Sequence, residues 1–226
     1  MRKLIVAAAS LAALVFVAPA QAGFATVVKN ISTGFEGGLL ASGAQDTDYS
    51  LTQNPAGANT YNGNMYVKQN IPSVYLPNSA SSQWISPELN GADPVNGISN
   101  VGLYKVQIQF DLTGFGHQSA MLSGLGFMVD NTADVYLNGS LIASQTDPQG
   151  FRGPFTSLGT GAGLFVSGIN TLEFWITNDP GSNKNPVALR VDALVTAMEV
   201  PEPASLVLGG LMVAGAAMRL RRKARA

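Results

Sequence analysis

Leu103-Tyr104-Lys105-Val106-Gln107-Ile108-Gln109-Phe110-Asp111-Leu112 alternates without a break from Tyr104 onward. Tyr104, Val106, Ile108, Phe110 and Leu112 are apolar, and the four residues between them are polar. Successive side chains of an extended strand point to opposite faces, so this segment predicts a half-buried antiparallel strand. The same period recurs outward from it. Leu125, Phe127 and Val129 repeat it with glycines between them, which leave room for a bend or close packing. Leu172, Phe174 and Ile176 face one way, and Thr171, Glu173, Trp175 and Thr177 the other. Leu189, Val191, Ala193, Val195 and Ala197 define a last strand. Between Leu137 and Ser140, Asn138-Gly139 supplies the two positive-φ positions of a tight hairpin turn. No segment between the chain ends sustains an apolar period of 3.6, so the predicted class is all-β, an antiparallel sandwich of two sheets. The stretch 41–77, rich in Asn, Gly, Pro and Tyr, is expected to form long loops or short edge strands capping it.

The two ends read differently. Arg2 and Lys3 precede an apolar run over 4–17 and then Pro19-Ala20-Gln21-Ala22. That is the charged, apolar and small-residue order of a cleavable leader, with Ala20 and Ala22 as the positions read by signal peptidase. The mature chain is expected to begin at Gly23. At the other end, 204–218 carries no charge, and Arg219, Arg221, Arg222, Lys223 and Arg225 follow it. As a helix those 15 residues reach about 22 Å, short of the ~30 Å hydrocarbon core, so crossing needs snorkelling arginines or a thinned bilayer. The basic cluster stays on the cytoplasmic side, which leaves the globular part outside. Pro201 and Pro203 deny the helix an earlier start and keep the preceding backbone extended.

Pro201-Glu202-Pro203, the short apolar run and the arginine cluster resemble the PEP-CTERM sorting signal of Gram-negative bacteria that make extracellular matrix. The resemblance covers roughly the last 27 residues. It implies recognition by a membrane-embedded exosortase, cleavage near Pro-Glu-Pro, and transient anchoring in the inner membrane before release to the surface or matrix. A plain tail anchor is the other reading. The expected division is a leader over 1–22, a β-domain over 23–199 and the sorting and anchoring segment over 200–226.

Between the two signals, six basic residues stand against fourteen acidic ones over 23–203, a formal charge of −8. That balance argues against nucleic acid and anionic polymers as partners. The chain contains no cysteine, so stability rests on a core of side chains.

Five segments of the β-domain, namely Ser82-Gln83-Trp84-Ile85-Ser86-Pro87, the strand into Phe110-Asp111-Leu112-Thr113-Gly114, the run from Asp130-Asn131 to Asn138-Gly139, Asn170-Thr171-Leu172 and Leu189-Arg190-Val191, resemble galactose-binding-like jelly rolls over roughly 80–198. The resemblance implies a jelly-roll-like sandwich with a role in carbohydrate binding or adhesion.

Catalytic constellations are scarce. His117 is the single histidine, read as a loop imidazole between strands, and no G-x-S-x-G elbow occurs. One histidine and no cysteine exclude the usual zinc ligand sets. The expectation is a protein without enzymatic activity, and paired carboxylates for glycan hydrolysis stay open with nothing to single them out. Asp130 and Asp134, in Asp130-Asn131-Thr132-Ala133-Asp134, could converge on a structural calcium ion, or form a turn bonded to its own backbone. Asp46-Thr47-Asp48 lacks the glycine and distal glutamate of a calcium loop. Trp84 and Trp175 are the candidate sugar platforms, with burial in the sandwich as the competing reading, and Arg152 sits in a Gly- and Pro-rich loop that would display it. The functional classes are then an exported polysaccharide-binding module, a structural surface or biofilm protein with no defined ligand, and a glycan hydrolase.

Overall fold

The computed structural model describes residues 24–55, 63–87, 101–180 and 186–200. The helices expected over 1–22 and 204–218 lie outside these residues, as do the sorting motif and the basic cluster. Ten strands follow in order: β1 (Ala25–Asn30), β2 (Gln45–Gln53), β3 (Gly63–Val67), β4 (Ile85–Ser86), β5 (Gly102–Asp111), β6 (Phe115–Asp130), β7 (Thr132–Leu137), β8 (Ser140–Gln145), β9 (Ile169–Asn178) and β10 (Ala188–Glu199). No α-helix occurs among the described residues, and Gly150–Arg152 forms a single 3-10 turn. These residues all fall within one compact unit, Gly23–Val200.

The alternating segments become β5, β9 and β10 with the expected faces inward. Tyr104, Val106, Ile108 and Phe110, then Leu172, Phe174 and Ile176, then Val191, Ala193, Val195 and Ala197 are all buried in one core. Phe127 and Phe174 meet edge to face with ring centroids 5.8 Å apart, a favourable quadrupole arrangement. The β7–β8 hairpin turns at Asn138 and Gly139, whose φ values of 50° and 81° are the two positive angles that the Asn-Gly pair predicts.

Every pairing is antiparallel, and the strands join in one sheet of order β1-β10-β4-β3-β2-β5-β9-β7-β8, with β6 on the other side of β10. The sequence predicts two sheets; the two-residue strand β4 joins them, because Ile85 lies opposite both Leu189 of β10 and Val67 of β3. The continuous sheet curls, so inward side chains from β2, β5, β6, β9 and β10 share a core. The stretch 41–77 also departs from expectation. It contains β2, an interior strand between β3 and β5, which sends Tyr49 and Leu51 into the core. Its period is hidden because the inward position before Tyr49 is an aspartate, Asp46, and because the β2–β3 register shifts between Asp46 and Ser50.

Leu125 corrects the predicted face of β6. Gly126 opposes Asp192 and Gly124 opposes Ala193, so Leu125 is an extra residue in a bulge, 59% exposed. A bulge re-aims the side chains beyond it: Ala120 and Leu122 point inward before it, Phe127 and Val129 after it. His117 lies within β6 rather than in a loop, since the preceding turn closes at Thr113 and Gly114.

The outer edge of β6 would leave unpaired backbone groups, and the chain closes it locally. Phe127 exchanges both backbone hydrogen bonds with Thr156, at 2.9 and 2.8 Å, and Leu122 N–H donates to Thr160 O. At Val129 the partner is a side chain. Val129 N–H donates to Gln145 Oε1 at 3.2 Å, while Gln145 Nε2 donates to Val129 O and Asn131 O, each at 2.9 Å. Gly126 is required there, because a Cβ would overlap the Thr156 carbonyl, and at Gly150 a Cβ would overlap the Gln145 amide.

Gln145→Ala strands the two buried backbone groups of Val129 and the half-buried Asn131 carbonyl, a buried group costing about 1–3 kcal/mol when unsatisfied. The variant is expected to lose about 3 kcal/mol in urea unfolding, with faster amide exchange at Val129 than at Ile176. An unchanged unfolding midpoint would show that the amide closure is dispensable.

Candidate functional site

The outer face of β5, β9 and β7 gathers the residues with the most chemistry. Register places Lys105 opposite Trp175 on one side and Asp134 opposite it on the other, and Gln107, Glu173 and Tyr136 form the next row. Directly opposed residues of antiparallel strands share a face, so these six side chains make one outward cluster. Trp175 is half-buried at its centre. The Lys105 ammonium sits 3.6 Å from the centroid of the indole, and the Tyr136 ring lies 4.5 Å away at 41°. A cation over an indole contributes about 0.5–1 kcal/mol at such exposed positions. Ser144 Oγ donates to Asp134 Oδ1 at 2.6 Å and fixes the carboxylate at the rim.

Beside this cluster lies a shallow cleft of about 260 Å³, lined by Thr132, Asp134, Gln145, Thr146, Trp175 and Thr177. Its wall offers three threonine hydroxyls and one carboxylate. The indole Nε1 of Trp175 is buried and finds no hydrogen-bond partner among the described residues. Because Lys105 lies over the ring, the indole offers this cleft no open stacking face.

The other candidate residues lie elsewhere. Trp84 is fully buried, donates its Nε1–H to Leu76 O at 2.7 Å and packs 4.8 Å from Tyr75, so it presents no ring to a ligand. Arg152 is exposed at the end of the 3-10 turn, with its guanidinium 5.6 Å from the Phe151 ring. Phe151 packs against Tyr75, which places Arg152 on the Trp84 cluster rather than beside Trp175. Asp130 and Asp134 do not converge. Asp130 is buried at the end of β6 and accepts the Tyr75 hydroxyl on Oδ2, whereas Asp134 alternates outward on β7. No group of three or more His, Cys, Asp or Glu side chains that could hold a metal occurs among the described residues. The two carboxylates therefore do not form one cation site, because Asp130 is covered by the Tyr75 cluster while Asp134 faces solvent on β7.

No protein-family model matches the chain, and no curated protein matches it. Its chemistry has to be read from its own side chains.

The surroundings of several polar residues were not legible in the sequence because their partners are distant in the chain. Asp46 is buried and accepts Gly34 N–H at 2.7 Å, and burial pushes its carboxyl up to about 6. A further cleft of about 420 Å³ lies nearby, lined by Val28, Phe35, Glu36 and Thr47 and by the ion pair Lys29–Asp48 at 2.7 Å. Lys68 is also buried, and its charge lies near Asp130. Burial pushes the Asp130 carboxyl up to about 6, with Asp179 adding to the rise and the Tyr75 hydrogen bond and Lys68 opposing it. Burial, then the Asp130 charge, holds the Tyr75 hydroxyl far above the usual phenol range.

Asp130 binds its proton more tightly folded, near 6, than unfolded, near 3.8. Its contribution to stability is therefore complete below pH 4 and is lost as pH rises through 6, a loss on the order of 3 kcal/mol. Asp130→Asn keeps an acceptor for Tyr75 and never ionises. Its stability relative to the native chain should rise between pH 4 and pH 7 in denaturant titrations; a difference independent of pH would contradict the assignment.

Proposed function

We propose that this chain is an exported, exosortase-processed surface or matrix protein whose jelly-roll-like β-sandwich binds neutral polysaccharide weakly and repeatedly at the Trp175 cleft. The observation that carries this reading is a shallow cleft lined by Thr132, Thr146, Thr177, Asp134 and Trp175, an indole whose buried N–H finds no partner among the described residues. A buried donor without a partner costs about 1–3 kcal/mol, which a hydroxyl would recover once binding shifts the ring enough to uncover its edge. Sugar hydroxyls both donate and accept, matching Thr132, Thr146 and Thr177 as well as the Asp134 carboxylate. The formal charge of −8 and the carboxylates at Asp134 and Glu173 favour an uncharged polymer over an acidic one. The exported location rests on the leader and on the ordered C-terminal triplet.

A few contacts of about 1 kcal/mol each give a dissociation constant of about 0.1–1 mM per site. Many copies on a repeating polymer then supply retention without new contacts. The reading is of binding without turnover; a structural surface protein is the alternative.

The mature chain should be retained on insoluble neutral glycan and respond little to monosaccharide. Trp175→Ala should lower retention at least tenfold, while Arg152→Ala, on the other cluster, should leave it unchanged. If no multivalent glycan retains the native chain, the carbohydrate reading falls and the structural-protein reading replaces it. Equal retention by the Trp175 variant would remove the site from this cleft.

A further inference from the structure

Five exposed apolar side chains gather at the end of the β-domain where the described chain begins and stops: Phe24 (92% exposed), Val166, Ile169, Met198 and Val200. Backbone pairing holds them together. Ala25 lies opposite Met198, Val200 N–H donates to Gly114 O at 2.9 Å, and Leu112 N–H donates to Gly168 O at 2.9 Å. On the adjoining outer face, Val27 and Met121 flank Thr196 in one cross-strand row, and both are exposed. The opposite half of that face is covered, since Tyr75, Trp84, Phe151 and Phe155 pack over Met128 and Ala188. Asp111, Glu199 and His117, which follows the Gly116 opposite Met198, are ionisable groups near the bare end.

Chain length says what adjoins it. Three residues separate Val200 from Ala204, the first of the 15 uncharged residues, so Val200 lies at most about 14 Å from that run. With most of its charge negative, the domain is repelled by anionic headgroups, and its least charged end is the one that can approach them. The headgroup–acyl boundary, into which interfacial helices sink their apolar faces by about 5–10 Å, is the layer that apolar side chains at a domain end can enter.

We propose that this end docks on the lipid bilayer that takes up residues 204–218, with Phe24, Ile169 and Met198 in the headgroup–acyl boundary. Docking holds Pro201-Glu202-Pro203 at the membrane surface, within reach of a membrane-embedded processing enzyme. The proposal rests on the anchoring part of the reading above and is independent of the glycan cleft.

Because the chain contains no cysteine, Ile169→Cys and Val101→Cys each provide one labelling site. Ile169 pairs with Asp111 at the docking end, and Val101 precedes Gly102 at the opposite end of β5. Both variants, intact at the C-terminus, carry an environment-sensitive fluorophore and are mixed with phosphatidylcholine vesicles brominated in the acyl chains. The chains should co-float with the vesicles, the Ile169 label should lose more than half its fluorescence, and the Val101 label should lose little. Co-flotation with both labels unquenched would keep the anchor and overturn the docking. Failure to co-float would overturn the anchor and the docking with it. A blue shift at Ile169 that is equal in brominated and plain vesicles would mean that a second copy covers this end, which also overturns it.

Discussion

The amide of Gln145 stands where a neighbouring strand would otherwise be. An open sheet edge exposes N–H and C=O groups that must be paired or hydrated, and at Val129 both are bonded by this one side chain. Beyond it, the loop from 146 to 160 follows the same edge and completes the closure at Phe127 and Leu122. Gly126 and Gly150 exist in this arrangement for want of space, one under the Thr156 carbonyl and one under the Gln145 amide. Gln145 also lines the Trp175 cleft, so the residue that seals the core forms part of the candidate binding surface.

Buried polar groups set the loops around that frame. Arg190 on β10 is almost fully buried, donates from Nε to Ser82 Oγ at 2.9 Å and from its terminal nitrogen to Pro77 O, and lies 5.1 Å from the Phe155 ring. Burial lowers the affinity of its guanidinium for a proton, while Asp192 opposes that effect and also accepts the Ser81 and Ser82 hydroxyls. Tyr75 and Asp130 make a second tie between the loop before β4 and the end of β6. A buried charge is tolerated only when paired and hydrogen-bonded, so these contacts commit the loop to one half of the outer face and leave the other half apolar and open.

Alternation made β5, β9, β10 and the hairpin legible, because period 2 with an Asn-Gly turn has few other meanings. It misled at Leu125, where an added residue reverses the faces, and it missed β2, whose inward Asp46 is satisfied by Gly34 N–H from a distant loop. Trp175 could be placed on a polar face from parity alone. Its neighbours could not, since Lys105, Asp134 and Tyr136 reach it only through the strand order β5-β9-β7, which spacing along the chain does not encode. Trp84 and Trp175 looked equivalent in the sequence, yet one has a satisfied N–H in a sealed cluster and the other an unmet N–H beside a cleft.

That contrast supplies the most direct test of the binding account, because the chain contains two tryptophans and each gives one indole N–H resonance. In nitrogen-resolved spectra of the mature chain titrated with a soluble neutral oligosaccharide, the Trp175 Nε1–H signal should move progressively while that of Trp84, held by Leu76 O, stays in place. A Trp175 signal that remains fixed, with other resonances shifting or none at all, would contradict binding at this cleft.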